Sequence, residues 1–463
     1  MIRGARPAAA DAARRCQRFD SGWLAAQLER LAGPLNGRRF CLAFSGGVDS
    51  SALLLALARL RRRHRFRLRA LHVNHQLQPG AAAWAAAAAR RARGWRVAVQ
   101  VLTVQVPRRP GASLEAQARA ARYAAMAAEL APGEQLLTAH NQDDQLETVL
   151  LQLIRGAGLA GLAAMPEVAP FAAGRLLRPL LPVPRALLQQ FLEQEGVRWI
   201  DDPSNQDERF DRNYLRQRIV PALRARWPAV AATASRSARH AAEAQELLRA
   251  AAERALDVAL DGTALKVSAL RRVPAAERRA LLRQWITRRG FAPPDQRRLE
   301  EVAARIVHAR QDAQPLLRWN ECELRRHGDR LYVAAQRAPA RLAPLEWRWS
   351  ARRLLPLPGG GSLRLVADRH GDIALARLPA RLQVRFRGGG ERLGEAFGHR
   401  TLKDLLQQGR LPPWQRMELP LLCADGRILA VPGLWVAPEL AAASDGRRAR
   451  LVWEPMPGSA PRI

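Results

Sequence analysis

Lysine is nearly missing from this chain of 463 residues: apart from Lys266 and Lys403, every basic residue is arginine. Cysteine is scarce as well. Cys16, Cys41, Cys322 and Cys423 stand far apart with no C-x-x-C pair, which argues against a zinc site, an iron–sulfur cluster or a redox dithiol. Cys41 lies inside an apolar run and reads as a small buried hydrophobe. Aromatic residues make up only 5% of the chain, while alanine-rich stretches such as Ala81–Ala89 favour helix. No run of 18 apolar residues exists, so no helix is expected to cross a membrane. Residues 1–20 are polar and Arg-rich without an apolar centre, so no secretory signal is expected. A cytoplasmic protein with no membrane partner is the expectation.

Positive charge is what the chain has in excess. Lys and Arg number 75 against 42 Asp and Glu, a formal net charge of +33. Drift from Lys to Arg in a high-GC genome accounts for the choice of residue but not for the surplus. A surplus of this size favours a polyanionic partner, nucleic acid first, and arginine suits phosphate contacts over an extended surface. The apolar fraction of 48% is ample for folded domains, and the length exceeds one core, so two to four domains are expected.

From residue 38 to 200 short apolar strands alternate with helical runs. Strands are expected at Phe40–Phe44, Leu68–Asn74, Arg96–Val104 and Gln135–Ala139, with a weaker one at Arg175–Leu180. That alternation predicts an α/β domain with a doubly wound parallel sheet, whose ligands sit beyond the carboxyl ends of the strands. A helical middle follows, with helices at 229–259, Ala275–Arg289 and Pro293–Arg310, and a hairpin near Trp319–Val333. After a Pro/Arg-rich junction, short strands surround one helix, Leu402–Gly409, in a small α+β tail.

Four constellations carry chemistry. The first is Ser45-Gly46-Gly47-Val48-Asp49-Ser50, between the first strand and the helical run Ser51–Leu57. Two glycines let the backbone turn sharply and bring N–H groups close to a ligand, and the following helix aims its positive end at the same place. A polyphosphate is the natural occupant. The Walker Gly-Lys-Ser/Thr ending is missing, and Asp49 would repel a bare phosphate, which points to a metal ion riding with a nucleotide. A tight turn capped by Ser50 or Asp49 is the purely structural alternative.

The second is His140-Asn141-Gln142-Asp143-Asp144-Gln145-Leu146-Glu147-Thr148, closing the fourth strand and opening its helix. Asp144 and Glu147 share a helix face. Together with Asp143 and His140 they exceed what capping needs, and they suit magnesium, a cationic amine, or both. The third is Ser113-Leu114-Glu115 leading to Arg119, Arg122 and Tyr123. Beside it, Asn74-His75 ends a strand, where His75 either touches a nucleotide or simply finishes the strand. The fourth runs from Asp201-Asp202-Pro203-Ser204-Asn205, strong turn chemistry, to Arg212-Asn213-Tyr214-Leu215-Arg216 and Arg218. This basic run either meets RNA phosphates or forms a solvated helix face.

Set in order, these blocks resemble the tRNA(Ile)-lysidine synthases, and Ser45–Ser50 resembles the PP-loop of the ATP pyrophosphatases (adenine nucleotide alpha hydrolase-like enzymes). The tail adds Val384-Arg385-Phe386-Arg387, Gly389-Gly390-Glu391-Arg392, His399-Arg400-Thr401-Leu402-Lys403-Asp404 and Pro413-Trp414. The resemblance implies an extension at 1–37, a PP-loop catalytic domain at 38–218 and a helical tRNA-binding domain at 219–337. A linker at 338–379 and a C-terminal tRNA-binding domain at 380–455 complete it. It implies ATP and Mg2+ as cofactors, with an isoleucine tRNA bearing a CAU anticodon and L-lysine as partners. Ser45, Gly46, Gly47, Val48, Asp49 and Ser50 would hold ATP, with Asp49 and Asp143 near the metal. His140, Asp144 and Glu147 would line the reaction centre, the two acids pairing with lysine and one of them suited to deprotonating its amine. Arg122 and Arg212, then Arg119 and Arg216, would neutralise phosphate.

Gln76-Leu77-Gln78 departs from the Gly-Leu-Arg of many relatives. A tRNA thiolase would need catalytic cysteines, a glutamine amidotransferase a nucleophilic-cysteine domain, and neither is visible. A nucleotide fold kept only for RNA binding has no use for the acidic cluster. Nothing in the sequence decides between a monomer and a homodimer.

Overall fold

The computed structural model describes residues 18–76, 80–107, 114–200, 206–310, 313, 315–336, 342–349, 354–358, 360–391, 393, 401–408, 412–442 and 447–454. They fall into two compact units, Met1–Glu246 and Leu247–Ile463.

In the first unit helix α1 (Ser21–Ala32) precedes β1 (Arg39–Ala43), α2 (Val48–Leu60), β2 (Arg67–Asn74), α3 (Ala81–Gly94) and β3 (Ala98–Thr103). Then come α4 (Leu114–Glu129), β4 (Gln135–Leu137), α5 (Gln142–Ile154), β5 (Val168–Phe171), β6 (Gly174–Leu177) and α6 (Arg185–Gln194). The sheet order is β3-β2-β1-β4-β6-β5. Every pairing is parallel except β5 with β6, which closes the edge antiparallel.

Strand side chains alternate between faces, and β1 shows what that does here. Phe40 and Leu42 pack on one face with Leu54, Leu57, Leu188 and Phe191, while Cys41 faces Leu71, Met126 and Leu136 on the other. Burial on both faces is why β1 reads as a continuous apolar run. The chain winds outward from β1 in both directions, so the crevice of the doubly wound sheet opens between the carboxyl ends of β1 and β4.

Two features differ from the expectation. Helix α1 lies in the segment expected as an extension, yet Phe19, Leu24 and Leu28 belong to the main core beside Phe40. Its start is set by Asp20, which accepts from Trp23 N at 2.9 Å. The edge strand β5 was not expected; Pro170 sits in it, tolerated because an edge strand has unpaired positions.

Next come α7 (Asp211–Tyr214), a π-helical turn over Leu215–Ile219, α8 (Val220–Arg226) and the long helix α9 (Val230–Ala259), within which the first unit ends at Glu246. The middle segment is not purely helical. Strands Leu260–Asp261, Ala264–Lys266, Leu316–Trp319, Cys322–His327 and Arg330–Ala335 form a five-stranded sheet. Leu324 and Leu331 pack from it onto Trp285, Leu282 and Leu299 of the helices. The segment expected as a linker also contributes strands: Leu345–Trp347 joins Leu382–Phe386, and Ser362–Ala367 joins Arg448–Glu454. Both tail sheets share one core with the helix Leu402–Gln408.

Candidate active site

The loop after β1 is built around the Gly46 carbonyl. Gly46 has φ +86°, and a Cβ there would stand 2.8 Å from Ile200 Cδ1 and 3.3 Å from Ala88 Cβ, so both conformation and space demand glycine. Three donors converge on its carbonyl, each at 3.1 Å: Ser51 Oγ, Ile200 N and Arg91 Nη1. A trans peptide carries its C=O and N–H on opposite sides. With the carbonyl drawn inward, the Gly47 N–H is turned outward, keeping only a long 3.4 Å contact with Ser45 Oγ. Gly47 caps α2 with an ordinary φ of −73°, and a Cβ there would meet nothing closer than 3.6 Å. Its glycine leaves room rather than relieving strain. Ser50 Oγ ties the turn together, lying 3.0 Å from Ser45 Oγ and accepting from Gly46 N at 3.1 Å.

Asp49 stands on the first turn of α2. Its Oδ1 is buried without a hydrogen-bond donor, the nearest cation being Arg185 Nε at 3.6 Å. Burial lifts its carboxyl to about 6 against the pull of Arg185, and Asp144 pushes the same way. An under-satisfied carboxylate beside an anion loop fits a hard divalent cation bound mainly by the substrate's own oxygens. Asp143 fits less well: its Oδ2 accepts Arg185 N at 2.8 Å at the start of α6, and it also forms an ion pair with Arg224. Among the described residues no group of three or more His, Cys, Asp or Glu is placed to hold a metal.

The loop after β4 carries the second half. Asn141 opens α5 with a capping box, accepting from Asp143 N and Asp144 N while Asp144 Oδ2 accepts from Asn141 N at 3.0 Å. This locks Asp144 in place and leaves Oδ1, which accepts from Arg216 Nη2 at 3.1 Å. Glu147, one turn on and 2% exposed, accepts from Arg212 Nε at 2.8 Å and from Arg216 Nε and Nη2 at 2.7 and 2.9 Å. Arg212 also donates to the Asp144 carbonyl and Thr148 Oγ1. Two acids and two arginines therefore form one closed cluster. Burial pushes the Asp144 carboxyl up, but Arg212, the Asn141 N–H and Arg216 outweigh it and hold the group below its usual range. His140 lies beside it, Nδ1 2.9 Å from Thr138 Oγ1. Burial, reinforced by Arg178 and Arg119, drives the imidazole far below its ordinary value and keeps it neutral.

The resemblance implies Asp144 and Glu147 opposite a lysine ammonium and Arg212 opposite phosphate; in the structure these residues pair with one another. Arg122 is elsewhere, donating through Nε to His75 Nε2 at 3.1 Å, so His75 holds a guanidinium rather than ending the strand idly. Arg119 lies over the Tyr123 ring, 5.0 Å from its centroid. Asp201–Asn205, Ser113, His399 and Arg400 lie outside the described residues. In the tail Thr401 and Asp404 cap the helix that carries exposed Lys403, and Glu391 closes the glycine turn by accepting from Gly388 N and Gly389 N. Sequence reasoning passed over Arg185, Arg224 and Arg91. Their only signal is position, since nothing local distinguishes them from the other arginines.

Comparison with known proteins decides what family this site belongs to. Residues 22–223 match the PP-loop domain family, 265–332 the TilS substrate binding domain and 382–453 the TilS substrate C-terminal domain. The tRNA(Ile)-lysidine synthase of Methylococcus capsulatus is 42% identical over 434 residues, 92% of this chain and 98% of its own. That of Alkalilimnicola ehrlichii is 43% identical over 408 residues, 88% and 91% respectively. The chain belongs to the tRNA(Ile)-lysidine synthase family. Within that family the departure at Gln76 has a local reading. Gln76 has φ +53°, left-handed backbone in which a glycine would be unstrained, and the turn is held by Gln76 N donating to Asn74 Oδ1 at 2.9 Å. The thiolase alternative loses its chemistry, because Cys41 is fully buried and its thiol is pushed up to about 12. Among the described residues no helix is long and apolar enough to cross a membrane.

Proposed function

We propose that this chain is the ligase that makes lysidine, joining lysine to C2 of the wobble cytidine of an isoleucine tRNA with a CAU anticodon at the expense of ATP, which leaves as AMP and pyrophosphate. The change converts the tRNA from methionine to isoleucine specificity. The observation that carries the reading is the pairing of two loops at one crevice: an outward-turned Gly47 N–H at the end of β1, and a buried acid–arginine cluster at the end of β4.

The chemistry asks for both loops. The C2 carbonyl of cytidine is a poor electrophile until its oxygen is made a leaving group. Attack of that oxygen on the α-phosphate of ATP expels pyrophosphate, and attack of lysine's ε-amine at C2 then expels AMP. Ser45–Ser50 would cradle the phosphates through N–H groups, hydroxyls and the α2 dipole. Asp49 would meet magnesium, which when bound neutralises phosphate charge. The absent Walker lysine fits reaction at the α-phosphate rather than γ-phosphate transfer.

Neutral His140 is suited to hydrogen bonding the base. Arg212 and Arg216 present fixed positive charge, and Arg122 supplies another on the β2 side. Asp144, held below its usual range, attracts lysine's ammonium rather than taking its proton, which revises the base role expected for an acid here. For lysine to reach Asp144 and Glu147, it must displace part of the guanidinium pairing. Transfer of labelled lysine into the CAU isoleucine tRNA with equimolar AMP is the expected result. Equal labelling of methionine tRNA, or no AMP, would contradict the reading.

A further inference from the structure

The Gly46–Gly47 peptide is the least constrained unit of the phosphate loop by sequence, since glycines flank it on both sides and φ at Gly46 is positive. Whether its N–H faces the crevice depends on what holds the Gly46 carbonyl inward. Two of the three donors, Ser51 Oγ and Ile200 N, lie near the loop or beside Gly46. The third arrives from a separate element: Arg91 in the last turn of α3, whose Nη1 reaches the same oxygen at 3.1 Å. It is the charged donor of the three, and among the described residues no carboxylate pairs with it.

Ala88, one turn earlier on α3, closes against Gly46, so the helix that carries Arg91 is seated directly on the loop. Arg91 is half-buried and also lines an open cleft of about 660 Å3 with Arg90, Trp95 and Arg198. It is therefore not a core residue on which the fold depends.

We propose that Arg91 is a positioning residue for ATP: it anchors the Gly46 carbonyl and so keeps the Gly47 N–H turned toward the phosphates. This rests on the reading of Ser45–Ser50 as the ATP loop. Without the guanidinium, the two remaining donors hold the peptide less firmly, and conformers with the carbonyl facing the crevice become populated and repel phosphate. The effect falls on ATP alone, because Arg91 touches none of the residues assigned to lysine or to the base.

The test uses the full chain with Arg91→Met, which keeps an apolar stem, and Arg91→Lys, which keeps a charged donor. Arg91→Met is expected to raise KM for ATP roughly threefold to tenfold, the size of one ordinary hydrogen bond, because two other donors still hold the Gly46 carbonyl. KM for tRNA and lysine should stay unchanged, as should the thermal midpoint, and Arg91→Lys should recover most of the loss. A wild-type KM for ATP in Arg91→Met, an equal rise in KM for tRNA, or failure of the lysine variant to rescue would each overturn the inference. Wild-type enzyme that releases no AMP would instead overturn the ATP-loop reading itself.

Discussion

Replacing Glu147 with glutamine changes one oxygen for an amide group and removes one charge, with almost no change in size. In the folded protein Glu147 is 2% exposed and receives three charge-assisted hydrogen bonds from Arg212 and Arg216, at 2.7 to 2.9 Å. Glutamine offers one acceptor, and its amide donors would face guanidinium donors. Each hydrogen bond to a charged group contributes about 1.5–3 kcal/mol, and breaking a buried pair costs about 3–5 kcal/mol. Both arginines retain partial exposure and keep Asp144 as a partner, so part of the loss is recovered by solvent. About 2–4 kcal/mol is the expected destabilisation, a fall in the thermal midpoint of roughly 5–12 °C. Differential scanning calorimetry on the full chain reads it directly. Removing a guanidinium as well, in Glu147→Gln with Arg216→Gln, should restore part of the stability through a coupling of about 1 kcal/mol or more. A thermal midpoint unchanged in Glu147→Gln would refute the closed cluster and show that Glu147 is held free for a substrate cation.

Glycine at 46 and at 47 serve different ends, and alanine should separate them. Gly46→Ala forces a side chain into left-handed backbone and against Ile200, costing about 1–2 kcal/mol in a thermal melt; Gly47→Ala should leave the melt within about 0.5 kcal/mol but weaken ATP binding measured by calorimetry. Equal stability loss in both would remove that distinction. Asp49 sets a pH dependence: its folded carboxyl is raised from 3.8 to about 6. Its contribution therefore favours the fold below about pH 4 and is lost as pH rises through about 6, about 3 kcal/mol in all. A divalent cation beside Asp49 offsets that loss, so the thermal shift given by magnesium with ATP should grow from pH 5 to pH 7 and vanish in Asp49→Asn; a shift independent of pH would contradict the assignment. Gln76→Gly, by relieving φ +53°, should raise stability by up to about 1 kcal/mol in a denaturant melt, and a loss of that size would mean the glutamine side chain holds the turn.

What the sequence revealed follows the range of its signals. The strand, turn and helix from Phe40 to Leu60 were legible because hydrophobic run, glycines and helix start are adjacent, whereas the capping box of Asn141 and Asp144 was not singled out although it spans one turn. The parallel sheet followed from alternation alone. The strands at Leu345–Trp347 and Ser362–Ala367 were hidden because the first is only three residues long and the second carries Arg364 within it, and because their partners lie up to about ninety residues away. Long-range pairing explains the site as well. Residue types singled out Asp144, Glu147 and Arg212 as candidates, but that Arg212 and Arg216 close on Glu147 across 65 and 69 residues is a property of the fold. In a chain where arginine is everywhere, no local pattern marks the few that converge on Gly46, Asp49 or Asp143.

Mass analysis of the wobble nucleoside tests the central claim most directly. After incubation of CAU isoleucine tRNA with this protein, ATP and lysine, the nucleoside should gain one lysine less one water, with one AMP released per tRNA. An unmodified cytidine, or a product carrying sulfur in place of lysine, would contradict the account.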